Sequence, residues 1–523
     1  MSNRAVVASG VVALLVTGAV LGGGASPVRA ERFAPPTVPS VQRWVAGGTG
    51  FTLGAHARVV YEGDGLRDAA VDLANGLRTL TGNDVVAQSG SSGGPGDIVL
   101  RNGPLDNAPN TAEAYRIAVG DTLDLQGTDT AGTFYATRSV LQMLHAGPTI
   151  PGGTVTDWPD YRERSLMLDV GREYMPVDML REQIRRMAQL KMNLLHLHFS
   201  DTFGFRLESA RHPEITASEH YSRQDIRDLI DYAARYQVEI VPEVDFPGHM
   251  NGILAAHPEL KLRSASGTVS DAAIDIANPR SYDLMRDILE EFLPQFPGRY
   301  WHLGADEFLL QGARVVSFDE YPQLGEYARA TYGPQAQPVD AYLGLINWGA
   351  DIVRAHGKRP RIWNDGLHTG EGTIIPDRDI VVDFWSRAGI PQLPLPFFGI
   401  ARTAPDLIDA GHQVKNAAFT PTYYVTGGPA SIGNVPPALA YELWDPTLFV
   451  DGIRLTSRQN ASSLGSGLYV WCDDPTARTP AQIAASITMP LRVMAQKTWG
   501  PAESGSYPEF AALSDAIAEP VPG

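Results

Sequence analysis

Two acidic residues, Asp306 and Glu307, stand side by side at the end of a short apolar run, in the segment RYWHLGADEF at 299–308. Burying two ionised carboxylates together is costly, and the charge of one raises the pKa of the other. The pair is therefore either a solvated strand end or a site that needs one protonated acid beside one ionised acid. Acid–base chemistry at neutral pH uses the second arrangement.

Polar and aromatic side chains recur wherever an apolar run of the later sequence ends. They are Arg172, Asp201, Glu243, Asp245, His249, Trp363, Asp365, Trp385, Tyr423, Tyr424, Trp471 and Asp473. A pyranose ring offers an apolar C–H face to an aromatic side chain and hydroxyl groups to acids and arginine. Acids with several tryptophans and a tyrosine therefore indicate a sugar site, although core packing is the alternative for each single tryptophan.

A metal site is an alternative for the histidines of one run. His196 and His198 lie two positions apart, so both side chains face the same side of a strand. With His302 or Asp306 they could ligate zinc, as in barrel metallohydrolases. Because both histidines precede the end of the run, buried and hydrogen-bonded core histidines are favoured. We therefore predict no metal and no cofactor.

Eight apolar runs of strand length must position these residues. They are RSLMLDV (164–170), MNLLHLHFSD (192–201), VEIVPEVDFP (238–247), RYWHLGADE (299–307), PRIWNDGL (360–367), DIVVDFWS (379–386), HQVKNAAF (412–419) and SGLYVWCDD (466–474). Apolar strands separated by helices are typical of a parallel sheet covered on both faces. Eight of them predict an α/β fold, a (β/α)8 TIM barrel, whose active sites lie at the carboxyl ends of the strands. A doubly wound open sheet is the alternative, but no glycine-rich phosphate loop follows an early strand.

The segments outside the barrel differ in composition. We place the barrel at 158–500 and a small α/β domain at 45–157, where strands such as HARVVYE alternate with two amphipathic helices. A flexible proline-rich leader at 31–44 and a C-terminal tail at 501–523 complete the chain. Residues 1–30 combine Arg4, an apolar run of small residues and Val28-Arg29-Ala30, which predicts a signal peptide cleaved near Ala30 and a secreted protein. A transmembrane anchor is the alternative, but the apolar part is short and rich in glycine.

Composition restricts the classes of partner. The chain has 523 residues, 44% apolar content and a formal net charge of −17, as expected of a soluble protein with more than one domain. The negative charge argues against a nucleic-acid or anionic-membrane partner, because both require basic patches. Cys472 is the lone cysteine, so no internal disulfide can form, and we interpret it as a buried small apolar residue.

Four motifs in this order resemble the serial motifs of family 20 glycoside hydrolases, the β-N-acetylhexosaminidases: MLDVGREY, NLLHLHFSDTFGFRLES, VPEVDFPGH and HLGADEF. The resemblance covers about 160–500, and AYRIAVGDTLDLQGTDTAGTFYATRSVLQML resembles the small domain before their barrel. RIWNDGL, PTYYV and the last tryptophan are most similar to the dispersin and lacto-N-biosidase side of the family. The resemblance implies a glycan substrate with β-linked N-acetylglucosamine or N-acetylgalactosamine, hydrolysed with retention through an oxazolinium intermediate.

The resemblance also implies catalytic roles. Glu307 is the general acid and base, and Asp306 is the acid that orients the 2-acetamido group of the substrate. Tyr424 is the tyrosine that hydrogen-bonds the acetamido oxygen. Asp201 and His249 form a supporting pair behind the general acid.

Further matched residues are implied to bind the sugar. Trp363 and Trp385 are walls of the acetamido pocket, and Trp471 is the platform under the ring. Arg172 is the arginine that holds hydroxyls O3 and O4. Asp473 is a departure, because the family's Trp-x-Glu ends here in a side chain shorter by one methylene.

A second departure follows the seventh run. Where the family often has Tyr-Leu-Asp, this chain has Tyr424-Val425-Thr426, so a contact to O4 or O6 is expected to be missing. Both departures leave room for a disaccharide unit, as in lacto-N-biosidases. Arg172 argues against a disaccharide if it must bind an unsubstituted O3 hydroxyl of the sugar. We predict release of single sugars, with a lacto-N-biosidase as the alternative. A non-catalytic glycan-binding protein is a more remote alternative, because the acid pair is intact.

Overall fold

The computed structural model describes residues 34–311, 314–315, 317–368, 372–388, 401–500 and 505–520. The predicted signal peptide at 1–30 lies outside these residues. In the part of the chain that is described, no helix is both long and apolar enough to cross a bilayer.

A closed barrel forms the larger part of the fold. Within the described residues, eight parallel strands pair in chain order and the last pairs with the first. Their bounds are Glu163–Asp169, Leu194–His198, Glu239–Glu243, Tyr300–His302, Arg359–Trp363, Val381–Phe384, Val414–Asn416 and Ser463–Trp471. Closure runs through pairs such as Leu166 with Leu468. The predicted (β/α)8 barrel is therefore confirmed, and the open doubly wound sheet is excluded.

Helices cover the outside of the barrel. They include Val177–Gln189, Arg223–Arg235, Asn251–Leu254, Pro279–Phe292, Pro322–Tyr332, Val339–Ala355, Ala404–Asp409, Pro437–Leu443, Ser457–Asn460, Pro480–Ser486 and Thr488–Trp499. The first of these shows why such segments are helical. Leu180, Ile184 and Met187 recur at spacings of four and three and are all buried against the strands.

Short strands occur in the loops after the barrel strands. They are Ser200–Asp201, Gly204–Leu207, Thr216–Tyr221, Lys261–Arg263, Val269–Ile274, Leu310–Gln311, Arg314–Val315 and Tyr423–Val425. The last of these pairs in parallel with the eighth barrel strand, Val425 opposite Trp471. It thereby extends the sheet at the rim where the site lies.

The N-terminal domain is a mixed sheet with helices Arg67–Thr81 and Thr130–Ala146 packed on it. In spatial order its strands are Arg43–Ala46, Gly153–Asp157, Tyr115–Val119, Leu123–Gly127, Ile98–Asn102, Arg58–Tyr61 and Val86–Ser89. A separate pair joins Phe51–Thr52 to Thr149–Ile150. A buried ion pair connects this domain to the barrel, since Lys191 Nζ lies 2.9 Å from Asp157 Oδ2.

The segment predicted as a C-terminal tail contains a helix, Tyr507–Ile517. Its Phe510 and Ile517 are buried in the same apolar core as the barrel strands. The helix has apolar residues at helical spacing behind a capping box at Ser506 and Glu509. The prediction of a tail was therefore wrong for residues 505–520.

Candidate active site

The acid pair lies on a tight loop that follows the fourth barrel strand. The strand ends at His302, and the predicted strand up to Glu307 is too long. Gly304, Ala305 and Glu307 have φ angles of 72°, 76° and 50°. A Cβ on Gly304 would lie 1.7 Å from Asp245 Oδ1, so only glycine fits there. Left-handed conformations at non-glycine residues cost free energy and cluster at functional sites.

Neighbouring side chains hold this loop in place. The backbone N–H of Ala305 donates to Asp245 Oδ1 at 2.9 Å, and that of Glu307 donates to Asp365 Oδ2 at 3.0 Å. The Tyr342 hydroxyl donates to the carbonyl oxygen of Ala305. These bonds come from three different segments, and together they stabilise the strained backbone.

Both acids are largely buried, so the pair is not a solvated strand end. The side chains of Asp306 and Glu307 are 9% and 18% exposed. Burial is the largest cause that raises the pKa of Glu307, and the charge of Asp306 adds to it, whereas His249 opposes both. The sequence argument named only the neighbouring charge as the cause.

His249 connects the acid pair to Asp201. Its Nε2 lies 3.2 Å from Glu307 Oε2 and 3.6 Å from Asp306 Oδ2, and its Nδ1 lies 3.1 Å from Asp201 Oδ2. Burial alone would lower the pKa of this imidazole, but Asp201 and Asp306 outweigh it and raise the pKa well above its usual value. The carboxylates around His249 therefore favour its protonated form, next to the candidate general acid.

Arg172 and Asp473 lie on one wall of the site. The guanidinium of Arg172 donates to Asp169 at 2.8 Å, is 2.8 Å from Asp201 and lies 4.0 Å from Asp473 Oδ1. Its central carbon is 5.3 Å from the centroid of a Trp471 ring. Burial raises the pKa of Asp473. The arginine is thus held by Asp169 and Asp201 while its guanidinium lies against Trp471.

The acid pair faces a cavity of about 360 Å³, at the lower end of the range of about 300–1,000 Å³ usual for small-molecule sites. The residues that line it are Arg172, His249, Asp306, Glu307, Trp385, Phe419, Tyr423, Val425, Ala430, Trp471 and Asp473. A concave site with aromatic walls and a few buried charged groups suits a sugar.

Three of the aromatic side chains that line the cavity are close to one another. The rings of Trp385 and Tyr423 are stacked, with centroids 6.1 Å apart, and Tyr423 and Trp471 lie 5.8 Å apart. The indole N–H of Trp385 donates to Asp365 Oδ1 at 2.9 Å, which fixes the ring beside the catalytic loop. Trp385 and Trp471 therefore both line the cavity that the acid pair faces.

Trp363 occupies a deeper position than expected. It is fully buried and is not among the residues that line the cavity. Its ring centroid lies 5.9 Å from that of Trp471, and its indole N–H donates to Glu243 Oε1 at 2.7 Å. In this structure it supports the platform tryptophan from below.

The tyrosine in the cavity is Tyr423, whereas the sequence analysis assigned Tyr424. Directly paired residues of neighbouring strands face the same side of a sheet. Tyr423 pairs with Tyr469 and Val425 with Trp471, so these residues face the cavity, and Tyr424 packs against the core on the opposite side. Thr426 is buried and does not line the cavity, whereas Val425 does. The sequence shows that neighbouring residues of the YYV strand face opposite sides, but it does not show with which residues of the eighth barrel strand they pair.

The three histidines considered for zinc surround a buried carboxylate. His196 Nε2, His198 Nδ1 and His302 Nδ1 lie 2.9, 2.8 and 3.1 Å from oxygens of Glu243. Burial alone would raise the pKa of Glu243, but the histidines outweigh it and lower that pKa. The three histidines thus form a buried charged cluster around Glu243, and none of them lines the cavity.

Comparisons with known proteins match both parts of the fold. The model of the catalytic domain of glycosyl hydrolase family 20 matches residues 161–396, and that of domain 2 of the same family matches 34–158. The chain is 31% identical over 477 residues to the lacto-N-biosidase of Bifidobacterium bifidum, over 91% of this chain and 40% of that protein. It is 26% identical over 464 residues to the β-N-acetylhexosaminidase of Cellulomonas fimi, over 83% of each.

The solved structures that are similar have the same architecture. The family 20 β-N-acetylhexosaminidase from Streptomyces coelicolor A3(2) superposes with a TM-score of 0.72 at 25% identity, over 93% of this chain and 96% of that one. The chain spans less than half the length of the Bifidobacterium relative. The matched models lie in the order of the two observed domains, and the four sequence motifs run from the first four barrel strands into the loops at the rim. The chain therefore belongs to glycosyl hydrolase family 20.

Proposed function

We propose that the protein hydrolyses β-glycosidic bonds of 2-acetamido sugars, with the acetamido group of the substrate as the nucleophile. One observation carries the proposal: two adjacent buried carboxyl groups, Asp306 and Glu307, face one aromatic-walled cavity. A pair of carboxylates on opposite sides of the bond is the usual arrangement in glycosidases. Adjacent acids on one loop suit a reaction in which the substrate supplies the nucleophile.

The first step uses the two acids in different protonation states. Oδ1 of Asp306 is buried and has no hydrogen-bond partner within the described residues, so it can accept the acetamido N–H. Tyr423, which replaces Tyr424 in this role, can donate its hydroxyl to the acetamido oxygen. That oxygen attacks the anomeric carbon and closes an oxazolinium ring, while Glu307 transfers its proton to the leaving oxygen. The ionised Asp306 stabilises the positive charge that develops on the acetamido nitrogen.

The second step reverses the role of Glu307. Its carboxylate takes a proton from water, the water oxygen attacks the anomeric carbon, and the oxazolinium ring opens. Two displacements at the same carbon give net retention of configuration. Return of the proton to Glu307 prepares the next cycle.

We propose further that the released product is a disaccharide, as the name of the Bifidobacterium relative implies for that protein. The sequence analysis favoured single sugars on the ground that Arg172 needs a free O3. Two terminal nitrogens of Arg172 are each already close to a carboxylate, which weakens that ground. The wall residue Val425 offers no hydrogen bond to O4 or O6, and Asp473 is shorter than glutamate. Both features suit a longer glycan unit.

Product analysis tests the reaction and its product together. The enzyme is incubated with a chromogenic N-acetylglucosaminide and a chromogenic lacto-N-bioside, and the released sugars are separated by chromatography. We expect release of Gal-GlcNAc to exceed release of GlcNAc. Release of GlcNAc alone would instead show a β-N-acetylhexosaminidase that releases single sugars. If neither substrate is hydrolysed, the result would support a non-catalytic glycan-binding protein.

We propose that the protein is secreted after cleavage next to Ala30. The support is the sequence pattern of residues 1–30, which lie outside the described residues. Intact-mass measurement of protein recovered from the medium of an expressing culture should give a chain that begins at Glu31. Retention of residues 1–30 would contradict this proposal.

A further inference from the structure

We propose that the protein binds a zinc ion on the outside of the barrel, with His212, Glu214 and His257 as ligands. These residues lie in the loops that follow the second and third barrel strands. They are separate from the residues that line the sugar cavity. The cluster was not predicted from the sequence, because its two histidines are 45 positions apart.

The cluster arises from a tripeptide that occurs twice. His212-Pro213-Glu214 and His257-Pro258-Glu259 each open a short 3₁₀ helix, Pro213–Ile215 and Pro258–Leu260. The two histidines have nearly the same backbone conformation, with φ and ψ of −130° and 66° at His212 and −125° and 57° at His257. The structure thus packs two copies of one His-Pro-Glu turn against each other.

The three ligand atoms have the spacing of a metal site. His212 Nδ1 lies 3.0 Å and His257 Nε2 lies 3.2 Å from Glu214 Oε1, and all three atoms lie within 4.8 Å of one another. Zinc binds nitrogen and oxygen at about 2.0–2.2 Å in tetrahedral geometry, which separates its ligands by roughly 3.4 Å. Small side-chain movements therefore accommodate the ion.

A second carboxylate faces the far nitrogen of each histidine. His212 Nε2 lies 3.2 Å from Asp287 Oδ2, and His257 Nδ1 lies 3.7 Å from Glu259 Oε1. Zinc-binding histidines usually donate their other N–H to a carboxylate, which fixes the tautomer. His212 Nδ1 and His257 Nε2 make hydrogen-bond contacts with Glu214 Oε1, so zinc would take the place of a proton on each of these nitrogens. This supporting pair distinguishes the cluster from a chance contact of surface charges.

The ligand set favours zinc over calcium or magnesium. Calcium and magnesium prefer oxygen ligands throughout, whereas two imidazoles and a carboxylate are a zinc set with a fourth position for water. The histidine side chains are 18% and 19% exposed and Glu214 is 44% exposed, so the ion can enter. A bound ion would join the loops that follow the second and third barrel strands, and the same two loops contain Asp201 and His249.

Isothermal titration of the untagged chain with ZnCl₂, after dialysis against EDTA, tests the site. We expect one equivalent of zinc to bind in the micromolar range or tighter, and CaCl₂ not to bind. His257→Gln should abolish this binding. Asp287→Asn should weaken it about 10- to 100-fold, as is typical when a supporting carboxylate is lost. Zinc should raise the Tm of the wild-type chain and leave that of His257→Gln unchanged.

Two matched variants control for charge and histidine count. Asp283 is exposed one turn earlier on the helix of Asp287, and His356 is exposed on another helix end. Asp283→Asn and His356→Gln should bind zinc like the wild type. Equal zinc binding by the wild type and by a His212→Gln, His257→Gln double variant would overturn the proposal. So would a wild-type affinity weaker than millimolar.

Discussion

The imidazole Nε2 of His249 lies 3.2 Å from Oε2 of Glu307. A largely buried imidazole, whose neighbours favour its protonated form, therefore contacts the group that the proposed first step requires to be protonated. Burial raises the pKa of Glu307, and His249 acts in the opposite direction. The two effects together tune the pH at which the acid form is lost.

The pH profile of a His249→Gln variant should show this balance. Glu307 must carry its proton, so kcat falls as the pH rises through the raised pKa of Glu307. Removing the imidazolium removes a contribution that lowers this pKa, so the falling limb should move to higher pH. The measurement is kcat against pH on a chromogenic substrate, with His356→Gln as the control. A limb that moves to lower pH would show that His249 does not act on Glu307 in this way.

Glu307→Gln should retain the fold and the ability to bind sugar while losing turnover. The amide is isosteric but cannot donate a proton to the leaving oxygen. Loss of one positioned acid costs roughly 10²–10⁴ in rate. The assay needs a substrate with a poor leaving group, because a good one needs little protonation. Near-normal turnover of such a substrate by this variant would refute the assignment of the general acid.

Tyr423→Phe and Tyr424→Phe form a matched pair that tests which tyrosine serves the cavity. Tyr423 lines the cavity, and Tyr424 packs on the other face of the same strand. Loss of a hydrogen bond to a group that becomes charged costs about 1.5–3 kcal/mol, so kcat should fall roughly 10- to 100-fold in Tyr423→Phe. Tyr424→Phe should stay close to the wild type. A large loss in Tyr424→Phe with little change in Tyr423→Phe would instead assign the role to Tyr424.

The barrel could be predicted because its strands are buried on both faces. Every residue of the first strand, Glu163–Asp169, is buried, and such runs stand out in the sequence. The rim positions of Asp201, His249 and the acid pair follow from where these runs end. The helix Tyr507–Ile517 was missed because its burial depends on the core it meets.

The errors in the site have a common physical origin. Whether Tyr423 or Tyr424 faces the cavity depends on its register with Trp471, which a local pattern does not contain. The depth of Trp363 likewise depends on the partner of its indole N–H, Glu243, 120 residues away. The ends of the apolar runs therefore placed the acid pair and its neighbours at one rim of the barrel, but one-residue register and depth required the structure.

Cys472 should be inert towards alkylation at neutral pH. It is fully buried next to the platform tryptophan, and burial raises the pKa of its thiol, so the reactive thiolate is scarce. Iodoacetamide should leave the activity of the wild type unchanged, and a Cys472→Ala variant should behave alike. Rapid inactivation of the wild type but not of the variant, with protection by substrate, would reveal a reactive thiol.

The mechanism makes the acetamido group of the substrate indispensable. Glucosides without it should be essentially inert. A thiazoline that mimics the cyclised intermediate should bind much more tightly than the product, because the site is complementary to species close to the transition state. Asp306→Asn should be impaired, since an amide cannot balance the charge on the acetamido nitrogen.

An enzyme nucleophile predicts the opposite pattern, and a 2-fluoro glycoside separates the two mechanisms. Such a substrate lacks the acetamido group and slows the breakdown of any glycosyl ester on a carboxylate. In the substrate-assisted mechanism, neither Asp306 nor Glu307 ever bonds to the anomeric carbon, so incubation should leave the intact mass of the protein unchanged. If Asp306 were the nucleophile, the mass would rise by that of the fluoroglycosyl group, and peptide mapping would place the adduct on the loop after His302. A stable adduct on any carboxylate would rule out attack by the acetamido oxygen, whichever sugar the enzyme releases.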